Sequence, residues 1–182
     1  SNDNDLDTLC DNRGYIHWMS PNTAPDTPTT LAQLKTSDAV IATGEWINET
    51  SVKFTATASD DDEEDILSLC VEVDDTDTAF GDTENSCGDG VEYSGSPVEV
   101  SVTISGLSNN TTYHWQARVK DDFGAYSDWT SYGANSDTTP DADMDFGIDT
   151  TAPTGGTVYD GTVSESDAMF NGGSLSELSA NW

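Results

Sequence analysis

Four stretches of this chain alternate apolar and polar side chains with a period of two. That pattern constrains the fold more than any other feature. In Ser51 to Ala58, the residues Val52, Phe54, Ala56 and Ala58 fall on one face. Leu67, Leu69, Val71 and Val73 do the same in the next stretch, then Val98, Val100, Val102 and Ile104, then Tyr113, Trp115, Ala117 and Val119. Successive side chains of a β-strand point to opposite faces, so each stretch reads as a strand with one buried face. Helical periodicity is nearly absent. Its one candidate, Thr30 to Thr36, is short, follows Pro28, and reads equally as a strand or an irregular edge. Trp129 to Tyr132 and Met144 to Ile148 read as a final broken strand. Clusters of Asp, Asn, Gly and Ser between the strands supply turns. The expected fold class is all-β, an antiparallel β-sandwich.

Charge decides which partners are expected. Thirty-five acidic residues stand against 5 basic ones, a formal net charge of -30. Nucleic acid would be repelled, and few cations exist to displace its counterions. An anionic membrane surface is disfavoured for the same reason. No run of roughly 18 apolar residues is present, the length a membrane-spanning helix needs. The start SNDNDLDTLC has no signal-peptide pattern and reads as a mature N-terminus or a trimmed fragment. Such acidity fits an extracellular or cell-surface protein that is kept soluble by charge, binds divalent cations, or lives in salt. Only 34% of residues are hydrophobic, so the core is expected to be thin.

Three regions are expected. Residues 1–26 are acidic and polar, with a possible strand at Tyr15 to Met19, and lead into PNTAPDTP. Residues 27–150 hold a complete set of strands. Residues 151–182 begin again with TAPTGGTVYDG and end in SLSELSANW. That tail has two strand patterns without partners to bury them, as if it opened a second copy of a repeated domain. Its apolar residues Val158, Leu175, Leu178 and Trp182 would be satisfied by strand addition to a neighbouring chain. A head-to-tail contact of that kind propagates a fibre. The plainer alternative is that the protein continues beyond Trp182. The expected partner is a second copy of the chain or another surface protein.

Residues 27–150 resemble a fibronectin type III domain of the kind strung in series through large bacterial surface proteins. The resemblance rests on Gly106-Leu107 followed by NNTTYHWQARV, Asn109 to Val119, where a leucine six residues before Tyr113 resembles the family's tyrosine corner. KDDFGAYSDW resembles the loop and strand that follow, and Trp182 sits where a next repeat often has a tryptophan. The first domain departs from the family in SVKFTATASD, which has no tryptophan, so immunoglobulin-like and cadherin-like labels stay open. The resemblance implies adhesion, spacing or assembly rather than catalysis. The implied function is a non-enzymatic structural or adhesive subunit. The alternative is a calcium- or carbohydrate-binding accessory module, for which Trp18, Trp46, Tyr93, Tyr126 and Trp129 are the candidate aromatics.

Six consecutive acidic residues, Asp60 to Asp65, fall at the turn between the first two strands. Asp121 and Asp122 follow the fourth strand and belong at the same end of a sandwich. Ca²⁺ takes six to eight oxygens, and clustered carboxylates in loops supply some of them. The expected calcium site therefore comprises Asp60, Asp61, Asp62, Glu63, Asp65, Asp121 and Asp122. The competing reading is a solvated acidic turn. No EF-hand loop is present. Asp3, Asp5, Asp7 and Asp11 make a weaker candidate, against a flexible acidic terminus.

The remaining chemistry is sparse. There is no HExxH, CxxC, GxSxG or phosphate-binding glycine loop, so no enzyme is expected. His114 is expected on the outer surface of its strand. Arg118 and Lys120 share that face, with a cross-strand ion pair to Glu72 as the plain reading and a small basic docking site as the other. Of three cysteines, Cys70 and Cys87 lie near enough in neighbouring strands to bridge an acidic loop. Two reduced thiols are the alternative, and Cys10 is then left free or bridges another chain.

Overall fold

A computed structural model of the chain describes residues 21–134 and 143–153, together with the backbone of two short strands in the N-terminal region. Twelve strands are present among these residues, with a single 3-10 turn at Tyr132–Ala134 and no α-helix. In chain order they are β1 (Leu9–Cys10), β2 (Ile16–His17), β3 (Thr29–Leu34), β4 (Glu45–Ile47), β5 (Ser51–Ala58) and β6 (Ile66–Asp75). Then come β7 (Ser86–Cys87), β8 (Val91–Glu92), β9 (Val98–Ser105), β10 (Thr111–Lys120), β11 (Thr130–Ser131) and β12 (Phe146–Ile148). The chain divides into two units, Ser1–Thr151 and Ala152–Trp182. The tail residues Val158, Leu175, Leu178 and Trp182 lie outside the described residues, as do Asp3, Asp5, Asp7, Asp11 and Trp18.

β1 and β2 pair with each other; a second sheet runs β3-β5-β9, and a third runs β4-β12-β10-β6-β7, with β11 also on β10 and β8 on β6. The apolar faces of the second and third build one core, consistent with a β-sandwich. From β5 come Val52, Phe54, Ala56 and Ala58; from β6, Leu67, Leu69, Val71 and Val73; from β9, Val100 and Val102; from β10, Tyr113, Trp115, Ala117 and Val119. The alternation in the sequence thus names the buried face of all four long strands. Aromatic rings fill the centre. Trp115 lies 4.6 Å from Phe54 and 5.0 Å from Tyr132, and Phe146 stacks on Tyr113 at 5.4 Å. The Trp115 Nε1–H donates to Gln33 Oε1 at 3.0 Å, and Gln33 Nε2 donates to the Asp145 carbonyl at 2.8 Å. The Ser108 N–H donates to the Tyr113 hydroxyl at 2.7 Å, tying the start of β10 to the turn before it.

Thr30 to Thr36 forms mostly strand, β3, rather than helix. The sheet is mixed, not wholly antiparallel, because β12 pairs in parallel with β4. Parallel neighbours cannot be joined by a tight hairpin, and here nearly the whole domain lies between them. The three-residue β4 carries Trp46, whose ring covers the bare Cα of Gly147 on β12. A strand this short gives no periodicity to read.

The outer face of β6 and β10 departs most from expectation. Residues 76–90 fold back over it, so His114, Gln116 and Glu72 are buried instead of exposed. His114 stacks on Phe80 at 4.1 Å, and its Nε2 bonds the Thr78 carbonyl at 2.8 Å. The register sets Gln116, not Arg118, opposite Glu72. Glu72 accordingly accepts from Gln116 Nε2 and the Gly81 N–H, both at 2.7 Å. Arg118 instead pairs with Glu84 at 2.5 Å and lies between the rings of Tyr126 and Trp129. Lys120 Nζ lies 5.4 Å from the same Tyr126 ring.

Cys70 and Cys87 are directly opposed on β6 and β7 and form a disulfide. The bridge closes the overlying segment. Replacing both cysteines by alanine is expected to cost about 3 kcal/mol, the loop-closure entropy of a ring this size. Urea midpoints of the oxidised parent and the double variant check this. Coincident curves would mean that the hydrogen bonds of residues 76–90 hold that segment without the bridge.

Candidate metal centre

The pole where β5 passes into β6 is built from three segments. The first is the turn itself. Asp60 Oδ1 accepts the Asp62 N–H at 3.1 Å, which folds the acidic run back on itself. Glu64 adopts φ 79, and its N–H bonds the Tyr93 carbonyl, while Tyr93 returns a bond to the Asp65 carbonyl. This brings Asp60 and Asp65 inward and turns Asp61 and Glu63 out. Asp60 and Asp65 are each only 5% exposed.

The second segment follows β10. Gly124, at φ 92, closes a tight turn in which Asp121 Oδ1 accepts the Ala125 N–H at 2.8 Å. Asp121 is buried, and Asp122 Oδ1 accepts the Ile66 N–H at 3.0 Å. That bond links the two acidic loops across the pole. The third segment precedes β3. Asn22 Nδ2 donates to Asp121 Oδ2 at 2.9 Å, and the Thr23 N–H donates to Asp62 Oδ2 at 2.7 Å.

Asp60, Asp62 and Asp65 each present one oxygen, all within 4.8 Å of one another. Two oxygens on opposite sides of one Ca²⁺ are about 4.8 Å apart, twice a typical bond. Asp60 Oδ2 and Asp65 Oδ2 are buried and have no hydrogen-bond partner. A buried carboxylate oxygen without donor or counter-ion is costly. The ion pairs among the described residues, Lys35–Glu45, Lys53–Asp38 and Arg118–Glu84, all lie off this pole. The donor set is all oxygen and strongly anionic, which suits a hard divalent cation.

Of the residues expected from the sequence, Asp60, Asp62 and Asp65 are brought together, with Asp121 and Asp122 beside them. Asp61 is exposed, and the Glu63 carboxylate lies against Gly95 instead. Asn22 and Thr23 were not expected; as neutral residues before the first strand they carry no charge signal. Cys70, Glu84 and Cys87 also cluster, but both sulfurs are spent in the disulfide. A polar cleft of about 410 Å³ between residues 86–91 and β9 holds none of the unpartnered buried atoms. Among the described aromatics, Tyr93 is buried, Tyr126 and Trp129 flank Arg118, and Trp46 is half exposed by itself. They make no exposed row of rings.

Burial pushes the Asp65 carboxyl up, and the charges of Asp60, Asp122, Asp62 and Asp121 push it further. Burial likewise raises Asp60, against the pull of the Asp62 and Asp61 N–H groups. Asp62 is held below the usual carboxylate range by the Thr23 N–H and hydroxyl. A carboxyl raised in the fold binds its proton more tightly there than in the unfolded chain. Its penalty is full above the raised range and is relieved as pH falls through it. Asp62 has the opposite sign: its stabilisation is kept until pH falls through the usual carboxylate range and below. The metal-free protein should therefore melt at higher temperature as pH is lowered from 7 towards the usual carboxylate range. Replacing Asp60 and Asp65 by asparagine should flatten that rise. A parent curve that falls steadily over the same window would remove the argument for two strained carboxylates.

No protein-family model matches the chain, and no curated protein matches it.

Proposed function

We propose that this chain is a non-enzymatic structural or adhesive module of an extracellular surface protein, with a Ca²⁺ ion held at its acidic pole. The observation that carries the cation is the pair of buried, unpartnered oxygens on Asp60 and Asp65, 5% exposed each, with no basic side chain paired to them. Ca²⁺ fits better than Mg²⁺, because a site made by three converging loops is adaptable, and Mg²⁺ requires a smaller, near-ideal octahedron. Asp60, Asp62 and Asp65 would hold the ion, and Asp121 and Asp122 would add to the field that attracts it.

The structural role draws on less specific support. The Tyr113 corner bond and the two-sheet core favour the fibronectin type III-like reading of residues 27–150. His114, the one histidine with a described side chain, is buried under Phe80 and engaged with a carbonyl, which does not suit a catalytic base. The disulfide suits an oxidising, extracellular setting. Among the described residues no helix is long and apolar enough to cross a membrane. Head-to-tail strand addition between chains would build a filament.

Calorimetric titration of EDTA-stripped protein with CaCl₂ tests the cation, with MgCl₂ as the comparison. One saturable Ca²⁺ event, lost in Asp60→Asn, is expected. Equal heats from parent and variant would sink the site. Electron microscopy of the purified protein tests assembly, with regular fibres expected and dispersed monomers with and without EDTA as the contrary result.

A further inference from the structure

The segment that leads into the domain is held in two different ways on either side of Pro25. Downstream the hold is ordinary. Pro25 and Pro28 are buried, the Asp26 N–H donates to the Ser59 carbonyl at 3.0 Å, and Ser59 Oγ donates to Asp26 Oδ2. Upstream, every described bond from this segment to the body of the fold ends on a carboxylate of the acidic pole. Asn22 Nδ2 reaches Asp121 Oδ2. The Thr23 N–H and Oγ1 both reach Asp62 Oδ2, at 2.7 and 2.8 Å, and Oγ1 also reaches Asp60 Oδ1 at 3.4 Å.

These bonds sort the carboxylate oxygens. The Asp62 N–H occupies Asp60 Oδ1, with the Thr23 hydroxyl 3.4 Å from it, while Asp60 Oδ2 has no partner and is buried. Both Thr23 donors on Asp62 fall on Oδ2, the same side chain that the cluster uses. Fixing one oxygen of a ligand so that the other faces the metal is how outer partners tune a metal site.

We infer that Thr23 is a positioning residue of the cation site, and that an ion bound there locks the segment leading into the domain. The inference rests on reading the pole as a cation site. Without an ion, the acceptors of the upstream bonds belong to like charges that repel. With an ion they are drawn together and held, and the donors on Asn22 and Thr23 meet fixed targets. Coupling between two sites is reciprocal: an ion that orders the strap binds more tightly when the strap is intact. The ion would then set the direction from which the preceding chain approaches the domain.

The test uses the full chain. Hydrogen exchange at the Thr23 amide is followed in Ca²⁺ and in EDTA, and Ca²⁺ affinity is measured calorimetrically for the parent, Thr23→Val and Thr23→Ser. Exchange should slow at least about tenfold with Ca²⁺. Thr23→Val, which keeps shape and loses the hydroxyl donor, should bind Ca²⁺ roughly tenfold more weakly. Thr23→Ser should restore the affinity. A purely structural role for Thr23 would lower the melting temperature of both variants alike and leave affinity unmoved. If Ca²⁺ binds the parent but exchange at Thr23 and the affinity of Thr23→Val are unchanged, the lock is overturned and the site survives. If Ca²⁺ gives no binding heat to the parent, the site falls and the lock with it.

Discussion

Calcium added to the EDTA-stripped protein should raise its melting temperature by about 10 °C once free Ca²⁺ exceeds its dissociation constant roughly a hundredfold. A ligand that binds only the folded state at that excess contributes about 2.7 kcal/mol, and the per-residue entropy of unfolding converts this into the shift. Asp65→Asn separates the terms. Asp65 Oδ2 is buried without a partner, and its carboxyl is raised by burial and by four neighbouring aspartates. Removing that charge takes away a penalty as well as a ligand. The variant should melt at or above the parent in EDTA, and below it in Ca²⁺. Scanning calorimetry of both proteins under both conditions decides the matter. A parent indifferent to calcium, or a variant that gains as much as the parent, would count against a metal at this pole.

Trp115→Ala should cost about 3–5 kcal/mol, the range for truncating a large buried aromatic. Three effects add at this position. The indole is fully buried and packs on Phe54 and Tyr132, so truncation leaves a void where the two sheets meet. The Nε1–H donor to Gln33 Oε1 is lost, and Gln33 is itself completely buried, so its oxygen is orphaned. Gln33 in turn holds the Asp145 carbonyl, next to the residue that opens β12. Domains of this size are stable by about 5–15 kcal/mol, so the variant should be close to its unfolding threshold. Trp115→Phe keeps most of the packing and loses the donor. It should fall between the two in a urea titration. A midpoint for Trp115→Ala within error of the parent would contradict a core centred on this ring.

Long strands were legible because their apolar residues are confined to the side that faces the core. In β5, β6, β9 and β10 the apolar residues at every second position are those that meet in the core. The same alternation misled about His114, Gln116 and Glu72. Polar residues on the second face read as solvated, yet residues 76–90 cover them. Nothing local in β10 announces a cover supplied from 34 to 36 residues upstream; the nearest hint was the spacing of Cys70 and Cys87. At the pole, the charge of Asp60 to Asp65 pointed to the right turn but not to the residues that converge. Which members face inward depends on the Glu64 backbone and the Tyr93 bonds, and a run of carboxylates contains no trace of either. Asn22 and Thr23 were invisible for the opposite reason. Their contribution lies in donors aimed at residues far along the chain.

The pairing of β12 with β4 and β10 has a mechanical consequence. The described chain comes in beside the acidic pole, where Asn22 meets Asp121, and goes out at the other end of the strands, where Asn109 binds Thr150 and Thr151. Tension on the two ends therefore pulls along the strand axes. The bonds joining β12 to both neighbours would have to slide and break together, as in a lap joint, instead of opening one at a time like a zip. A domain wired in this way meets tension with the hydrogen bonds of β12 loaded in shear.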